Sequence, residues 1–459
     1  MSYFKKYFPI KKYRHSKMES SSGRYKEGHV NEVTTATEIA LMEPIETAIS
    51  TEALEHKCIG SKQIINSREV TSTTEFYAGE VDFGIDLFKR VYMDNSEIKI
   101  KPTNLFISPF SIHSALLLAY FGSAGKTETN LGKVLRLGDT DKKEAFRSYK
   151  ATLHRFLNTA NPTSKSYYLG LANKVFFDSS EPLSNYITKL LSEELEEMDF
   201  QYKSSESLCM INEWVKNQTK GKIGNFLNES DIYKRTRMVL VNAVYFKGDW
   251  KHQFNPEKTK PEIFHVSSNK QSFVDMMFQE GRFRHGFCEE LMSDILEVPY
   301  VGKDISMFIL LPSSVKNTLC DVLSKLNRKI WKKALKNIKK VNIEVGIPKF
   351  RIEASIYLTE YLKNMGLKHA LDPSLADFTN FSSNPDLYIQ KLKHKAVVEL
   401  NEEGSEAVAV TAVTATDSCC RKETKQFICN HPFIFMIYDN MIDSILFIGA
   451  YQNPKSRTQ

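Results

Sequence analysis

Residues 401–432 read NEEGSEAVAVTAVTATDSCCRKETKQFICNHP, and this stretch decides the fold. After Gly404 the residues alternate, with Ser405, Ala407, Ala409 and Thr411 on one parity and Glu406, Val408, Val410 and Ala412 on the other. Neighbouring residues of an extended chain face opposite sides, so one face is uniformly small while the other carries valine twice. No proline occurs from Glu402 to His431, so nothing forbids a strand with neighbours on both sides. Asp417–Gln426, by contrast, is polar and has the chemistry of a loop tip. Connections longer than about 12–15 residues are uncommon in compact domains unless functional or disordered.

The whole chain sets wide bounds. Its 459 residues, 42% hydrophobic and 25% charged, suffice for one large domain or two ordinary ones with a sizeable core. A net charge of +7 is small for this size, so local clusters matter more than the total. The cysteines are odd in number and scattered (Cys58, Cys209, Cys288, Cys320, Cys419, Cys420, Cys429), with no zinc-ligand spacing, which reads as reduced thiols. The N-terminal MSYFKKYFPIKKYRHSK breaks every apolar run with charges, unlike a secretory signal. No stretch is long and apolar enough to cross a membrane. The expectation is a soluble cytoplasmic monomer that needs no cofactor. Leaderless release or an alternative start leading to the extracellular space stays open.

Residues 1–75 form a separate compositional zone, basic and aromatic at first, then rich in Ser, Thr and Glu; it is expected to be a disordered extension. From Phe76 the pattern is that of a folded domain, 76–459. Phe83, Leu87, Phe88 and Val91 open an amphipathic helix, and Asn104–Gly122 suits a buried helix with proline in its first turn. Further helices are expected at Ser184–Glu197, Ser207–Thr219 and Ile356–Met365. Leu169–Phe177 and Met238–Phe246 read as central strands, followed by strands at Ile305–Leu311, Val341–Val345, Phe433–Tyr438 and Ile445–Ala450. Helices dominate the first half and strands the second, which argues for an α+β fold.

Motifs spread over most of the chain now carry a resemblance. Asn104 with Ser108–Ile112 (SPFSI), Leu171-Ala-Asn173, Glu197–Phe200 (EMDF), Ile211–Ile223, Val241–Trp250 (VNAVYFKGDW), Ile347–Phe350 (IPKF), His394, the stretch from Glu402, and His431–Phe435 (HPFIF) follow one another in the order found in serpins. The chain resembles this family from Phe76 to Pro454, and specifically its leaderless, ovalbumin-like members. The resemblance implies the serpin fold, three β-sheets with eight to nine helices and an exposed reactive-centre loop at about 402–431. It implies an inhibitor rather than an enzyme: a serine endopeptidase, or by extension a cysteine protease, cuts the loop, which then inserts as a new strand and distorts the attacker.

The resemblance also assigns residues. Glu402, Glu403, Gly404, Ser405, Glu406, Ala407, Val408, Ala409, Val410 and Thr411 form the hinge, with no charge or proline on its inward parity. Ser108, Ser111, Asn242 and His394 match the polar cluster where the main sheet parts, and Trp250 the tryptophan where the hinge first enters. Fourteen residues on from Gly404, the reactive bond falls at Ser418–Cys419; eleven back from Pro432, it falls at Arg421–Lys422. Both remain open. A non-inhibitory serpin acting as a binding, carrier or chaperone protein is the competing reading, since fold does not fix function. No G-x-S-x-G elbow supports a hydrolase.

One run stands apart. KLNRKIWKKALKNIKK places Lys325, Arg328, Lys329, Lys332, Lys333, Lys336, Lys339 and Lys340 at helical spacing on one side. It is either a solvated helix face or a site for a glycosaminoglycan or another polyanion.

Overall fold

The serine at position 108 shows how local chemistry positions the rest. Its hydroxyl oxygen accepts from the Ser111 N–H at 3.1 Å, Pro109 follows at the first helical position, and every residue of the resulting helix Pro109–Gly122 is buried. In this computed structural model residues 67–97, 103–157, 167–313, 318–403 and 425–454 are described, all within one unit, Ile64–Gln459. The hinge from Gly404 onward and both alternative reactive bonds lie outside the described residues.

Nine α-helices occur among the described residues: α1 Ser67–Glu97, α2 Pro109–Gly122, α3 Gly125–Val134, α4 Lys142–Leu157, α5 Asn185–Leu190, α6 Ser204–Gln218, α7 Leu319–Lys325, α8 Arg328–Asn337 and α9 Thr359–Asn364. The strands are β1 Leu105–Ile107, β2 Tyr167–Asp178, β3 Leu195–Met198, β4 Met238–Gly248, β5 Lys260–Ser267, β6 Lys270–Cys288, β7 Ser293–Pro299, β8 Ile305–Pro312, β9 Lys339–Pro348, β10 Phe350–Tyr357, β11 Leu392–Leu400, β12 Lys425–Ile428, β13 Phe433–Asp439 and β14 Ser444–Tyr451.

One sheet has the order β10-β11-β4-β2-β3. The other is continuous through β6, a 19-residue strand whose first part pairs with β5, whose middle pairs with β9 and whose end pairs with β7. It therefore reads as a second sheet, β1-β14-β13-β8-β7, joined to a third, smaller sheet in which β12 runs parallel to β9 at the edge. The expected α+β class and sheet count hold.

Three apolar cores follow. One lies under α1, α2, α7 and α8; a second fills the space between the sheets, with Val244, Phe246 and Val398 meeting Ile309, Phe435 and Phe447; a third lies beneath α6.

Two expected helices are corrected. Ser184–Glu197 is helical only over α5; from Leu195 it pairs in parallel with Val175–Asp178, because a free sheet edge captures the segment over its helical preference. Ile356–Met365 is split at Leu358, since Ile356 and Tyr357 complete the pairing of β10 with β11 before α9 starts.

At Gly84 in α1 an added Cβ lies 2.6 Å from Pro109 Cβ, so the two helices cross in near-contact. Gly84→Ala is expected to cost about 1–3 kcal/mol by overpacking, read as a lower urea midpoint at unchanged slope.

Candidate functional site

The five-stranded sheet contains one neighbouring pair with an unusual history in the chain. β4 and β11 run parallel, with Leu392–Val398 in register with Leu240–Phe246, although well over a hundred residues separate them. β11 leads directly into the segment expected to form the hinge. A strand that turned back from its end would run antiparallel to β11 and to β4 alike, so the parallel seam has the polarity needed to accept one.

A polar cluster closes this seam on the face toward α2. His394 and Asn242 are register partners across it, and Asn173 is the partner of Asn242 on β2. The Ser108 backbone N–H donates to His394 Nε2 at 3.1 Å, which fixes the proton on Nδ1; that N–H donates to Asn242 Oδ1 at 2.5 Å. Asn242 Nδ2 lies within donating distance of Ser111 O (2.8 Å), Ser111 Oγ (2.7 Å) and Asn173 Oδ1 (2.6 Å). The Ser108 hydroxyl donates to Leu446 O at 2.6 Å, tying the cluster to β14. Ser108, Ser111, Asn242 and His394 are fully buried, where satisfied hydrogen bonds cooperate and broken ones are costly.

At the far end of β11 the chain is held again. Trp250 stacks on Tyr300 with ring centroids 4.5 Å apart, and its Nε1–H donates to Asn401 O at 2.9 Å. Glu402 is buried; its carboxylate accepts from Thr259 Oγ1 at 2.9 Å and pairs with Lys349 at 2.9 Å, while its carbonyl accepts from the Phe254 N–H. Burial pushes the Glu402 carboxyl up, but the Lys349 ammonium and the hydrogen bonds outweigh it and leave it below the ordinary carboxylate range. Gln253 Nε2 donates to Glu403 O at 3.3 Å.

Known proteins share this architecture. The family model described as Serpin (serine protease inhibitor) matches residues 78–454. The chain belongs to the serpin family. It is 37% identical over 399 residues to Serine protease inhibitor 88Ea of Drosophila melanogaster, covering 83% of this chain and 92% of that one. It is 38% identical over 393 residues to the leukocyte elastase inhibitor of Sus scrofa, covering 82% and 99%. Among solved structures, uncleaved ovalbumin superimposes with a TM-score of 0.72 at 28% identity, covering 83% of this chain and all of that one.

In this serpin the structure brings Ser108, Ser111, Asn242 and His394 together, and sets Trp250 apart beyond the end of β11, against Asn401. Sequence reading missed Asn173, Thr259 and Lys349 as members of these two clusters. Asn173 was findable, as a lone amide inside the apolar run LGLANKVFF. The other two were not, because they meet Glu402 only through the fold.

The basic run is corrected. It is not one helical side: Lys325 ends α7, Asn327 caps α8, and Lys339 and Lys340 open β9. The Asn327 side chain accepts from the Ile330 N–H and so starts a new helix within the run. Arg328 pairs with Asp82, Lys332 with Asp443 and Lys333 with Glu290. Lys325, Lys329, Lys336, Lys339 and Lys340 are exposed and have no ion-pair partner among the described residues.

Burial lowers the His394 pKa to about 3. The unfolded chain therefore takes up this proton near pH 6.5 while the native state refuses it until about 3, and stability falls with pH between those values by about 1.4 kcal/mol per unit. His394→Gln, which keeps one donor and one acceptor, is expected to flatten the decline of the thermal midpoint between pH 6 and 4.

Proposed function

We propose that this serpin is an inhibitory, suicide-substrate inhibitor of a serine endopeptidase, with cysteine proteases as a further target class. The observation that carries it is the parallel β4–β11 seam, closed by hydrogen bonds and continuous with a proline-free segment of small residues. The protease attacks the loop and is held as an acyl-enzyme while the cut segment from Gly404 enters the seam. About a dozen inserted residues at ~1 kcal/mol of net hydrogen bonding each give on the order of 10 kcal/mol. At tenfold per ~1.4 kcal/mol, such a fall makes trapping irreversible in practice.

Ser405, Ala407, Ala409 and Thr411 face inward in this scheme. Two alternative bonds supply the bait. Ser418–Cys419 suits a protease with a small or permissive primary pocket, and Arg421–Lys422 one with an acidic pocket. The chain acts as a monomer, and in the cytoplasm; the free thiols Cys209, Cys288 and Cys429 support the compartment.

Incubation with elastase-like, trypsin-like and cathepsin-like enzymes is expected to give an SDS-stable complex with one of them. Mass spectrometry of the released C-terminal peptide distinguishes a cut after Ser418 from one after Arg421. Ala409→Arg, which puts a charge on the inward face, is expected to abolish the complex and leave plain cleavage. Clean cleavage of the unaltered protein, with no complex and no rise in melting temperature, overturns the proposal in favour of a non-inhibitory binding, carrier or chaperone role.

The exposed, unpaired lysines support a second role, capture of a sulfated polysaccharide that raises the encounter rate with protease. They are point charges without exposed aromatic neighbours on α8, which suits sulfates better than stacked bases. Retention on heparin is expected to fall with salt, and to fall further in Lys329→Gln/Lys336→Gln; retention unaffected by that pair of substitutions excludes this face.

A further inference from the structure

The face of the five-stranded sheet opposite the polar cluster carries a second closure. The connection between α6 and β4, residues 219–237, lies across this face. Its Ile223, Phe226, Leu227 and Ile232 share one core with Ala172 and Phe176 of β2, with Val239, Val241, Ala243 and Tyr245 of β4, and with Val397 of β11. The connection therefore straddles the seam.

Its polar contacts are distributed differently from its apolar ones. Arg237 at its end pairs with Asp178 and Glu181 on the β2 side, and Asn212 of α6 bonds the backbone of Phe226 and Leu227, but four lysine contacts reach the far side of the seam. Lys222 pairs with Glu399 at 3.4 Å, Lys395 Nζ donates to Asn225 O at 3.2 Å, Lys391 Nζ donates to Ser230 O at 2.7 Å, and Lys393 Nζ donates to Asp231 Oδ2 at 3.1 Å. Positions 391, 393, 395 and 399 have one parity, so β11 presents a row of charged side chains to a segment that runs roughly antiparallel above it. Asp231 also accepts from the Tyr357 hydroxyl of β10 at 3.0 Å.

We propose that the Lys393–Asp231 pair is the outer lock of the seam and a positioning element that sets the rate of strand insertion. This matters only if the chain inserts its loop, as proposed above. A new strand between β4 and β11 moves them apart by about 4.8 Å. The connection cannot follow both. It is continuous with β4 through Met238 and shares most of its apolar burial with β2 and β4, so the contacts to β11 and β10 must break. Lys222–Glu399 and Lys391 are exposed enough for water to replace their partners at little cost. Lys393 and Asp231 are not: their side chains are 8% and 4% exposed, with the Lys393 ammonium 5.1 Å from the Tyr357 ring and 5.8 Å from that of Phe226. Parting a buried pair leaves two charges without solvent or partner.

The test uses the full chain and a synthetic peptide of its own residues 404–415, GSEAVAVTAVTA. Peptide uptake into the seam is followed by native electrophoresis and by the rise in melting temperature. Lys393→Val/Asp231→Asn, which removes both charges together, is expected to take up the peptide about tenfold faster than the unaltered protein. Lys393→Arg, which keeps the pair, is expected to stay near the original rate. Trp331→Leu serves as a control that lowers stability away from the seam, since Trp331 packs on Phe308 and Tyr438 of the other sheet. Uptake at the original rate by the double variant overturns the lock. So does an equal acceleration by Trp331→Leu, which would mean that any loss of stability speeds insertion. If the unaltered protein neither takes up the peptide nor traps a protease, the inhibitory reading itself has failed; uptake without acceleration in the double variant removes only the lock.

Discussion

The hydrogen bond from His394 to Asn242 joins two strands that have no local reason to be neighbours. β4 and β11 meet in parallel, and parallel pairs are slightly less stable per residue than antiparallel ones. What holds them is the set of groups on both sides of the pairing. On the inner face an uncharged cluster descends from the start of α2, where the cap that begins the helix also supplies donors and acceptors to His394 and Asn242. On the outer face the hold is ionic and reaches down from the α6–β4 connection. The two differ in how they respond to conditions. Acid acts on the inner one through His394, whereas a buried ion pair such as Lys393–Asp231 is little screened by salt.

The chain just before Gly404 is anchored where this seam ends. Trp250 and Glu402 fix the last described residues of the segment before Gly404, one by an indole hydrogen bond and the other by a carboxylate held between Thr259 and Lys349. Glu402 thus has a structural task of its own, separate from the small side chains that follow it. An insertion that begins at Gly404 could leave this anchor intact and use it as the fixed end of the turn.

Much of the fold was legible because its strands are apolar on both faces and bounded by turns. β2, β4, β8, β13 and β14 are of this kind. β6 is not: its exposed and buried residues alternate irregularly, because it serves two sheets in succession and changes partners partway. β3 was hidden for another reason, since its residues LEEM acquire strand geometry only by docking beside β2. The inner cluster was legible through motif order, as serine, asparagine and histidine at fixed places in apolar surroundings. The outer one was not. Lys391, Lys393 and Lys395 look in sequence like a solvated strand edge, and only the packing of Phe226 and Tyr357 around Lys393 shows that one of the three is buried.

That a lysine lies there at all bears on how a strained fold can persist. If insertion releases on the order of 10 kcal/mol, the release rivals the whole stability of an ordinary domain, about 5–15 kcal/mol. The closed state then survives by the height of a barrier rather than by depth. A barrier of that kind is best built from contacts that must break before the new strand has formed, and a desolvated ion pair is suited to this. It contributes little to the net stability of the closed state, because desolvation offsets its Coulomb energy, yet it costs several kcal/mol while its charges are apart and still desolvated. An apolar contact across the same seam has no such asymmetry: it would stabilise the closed sheet and yield gradually as the strands separate.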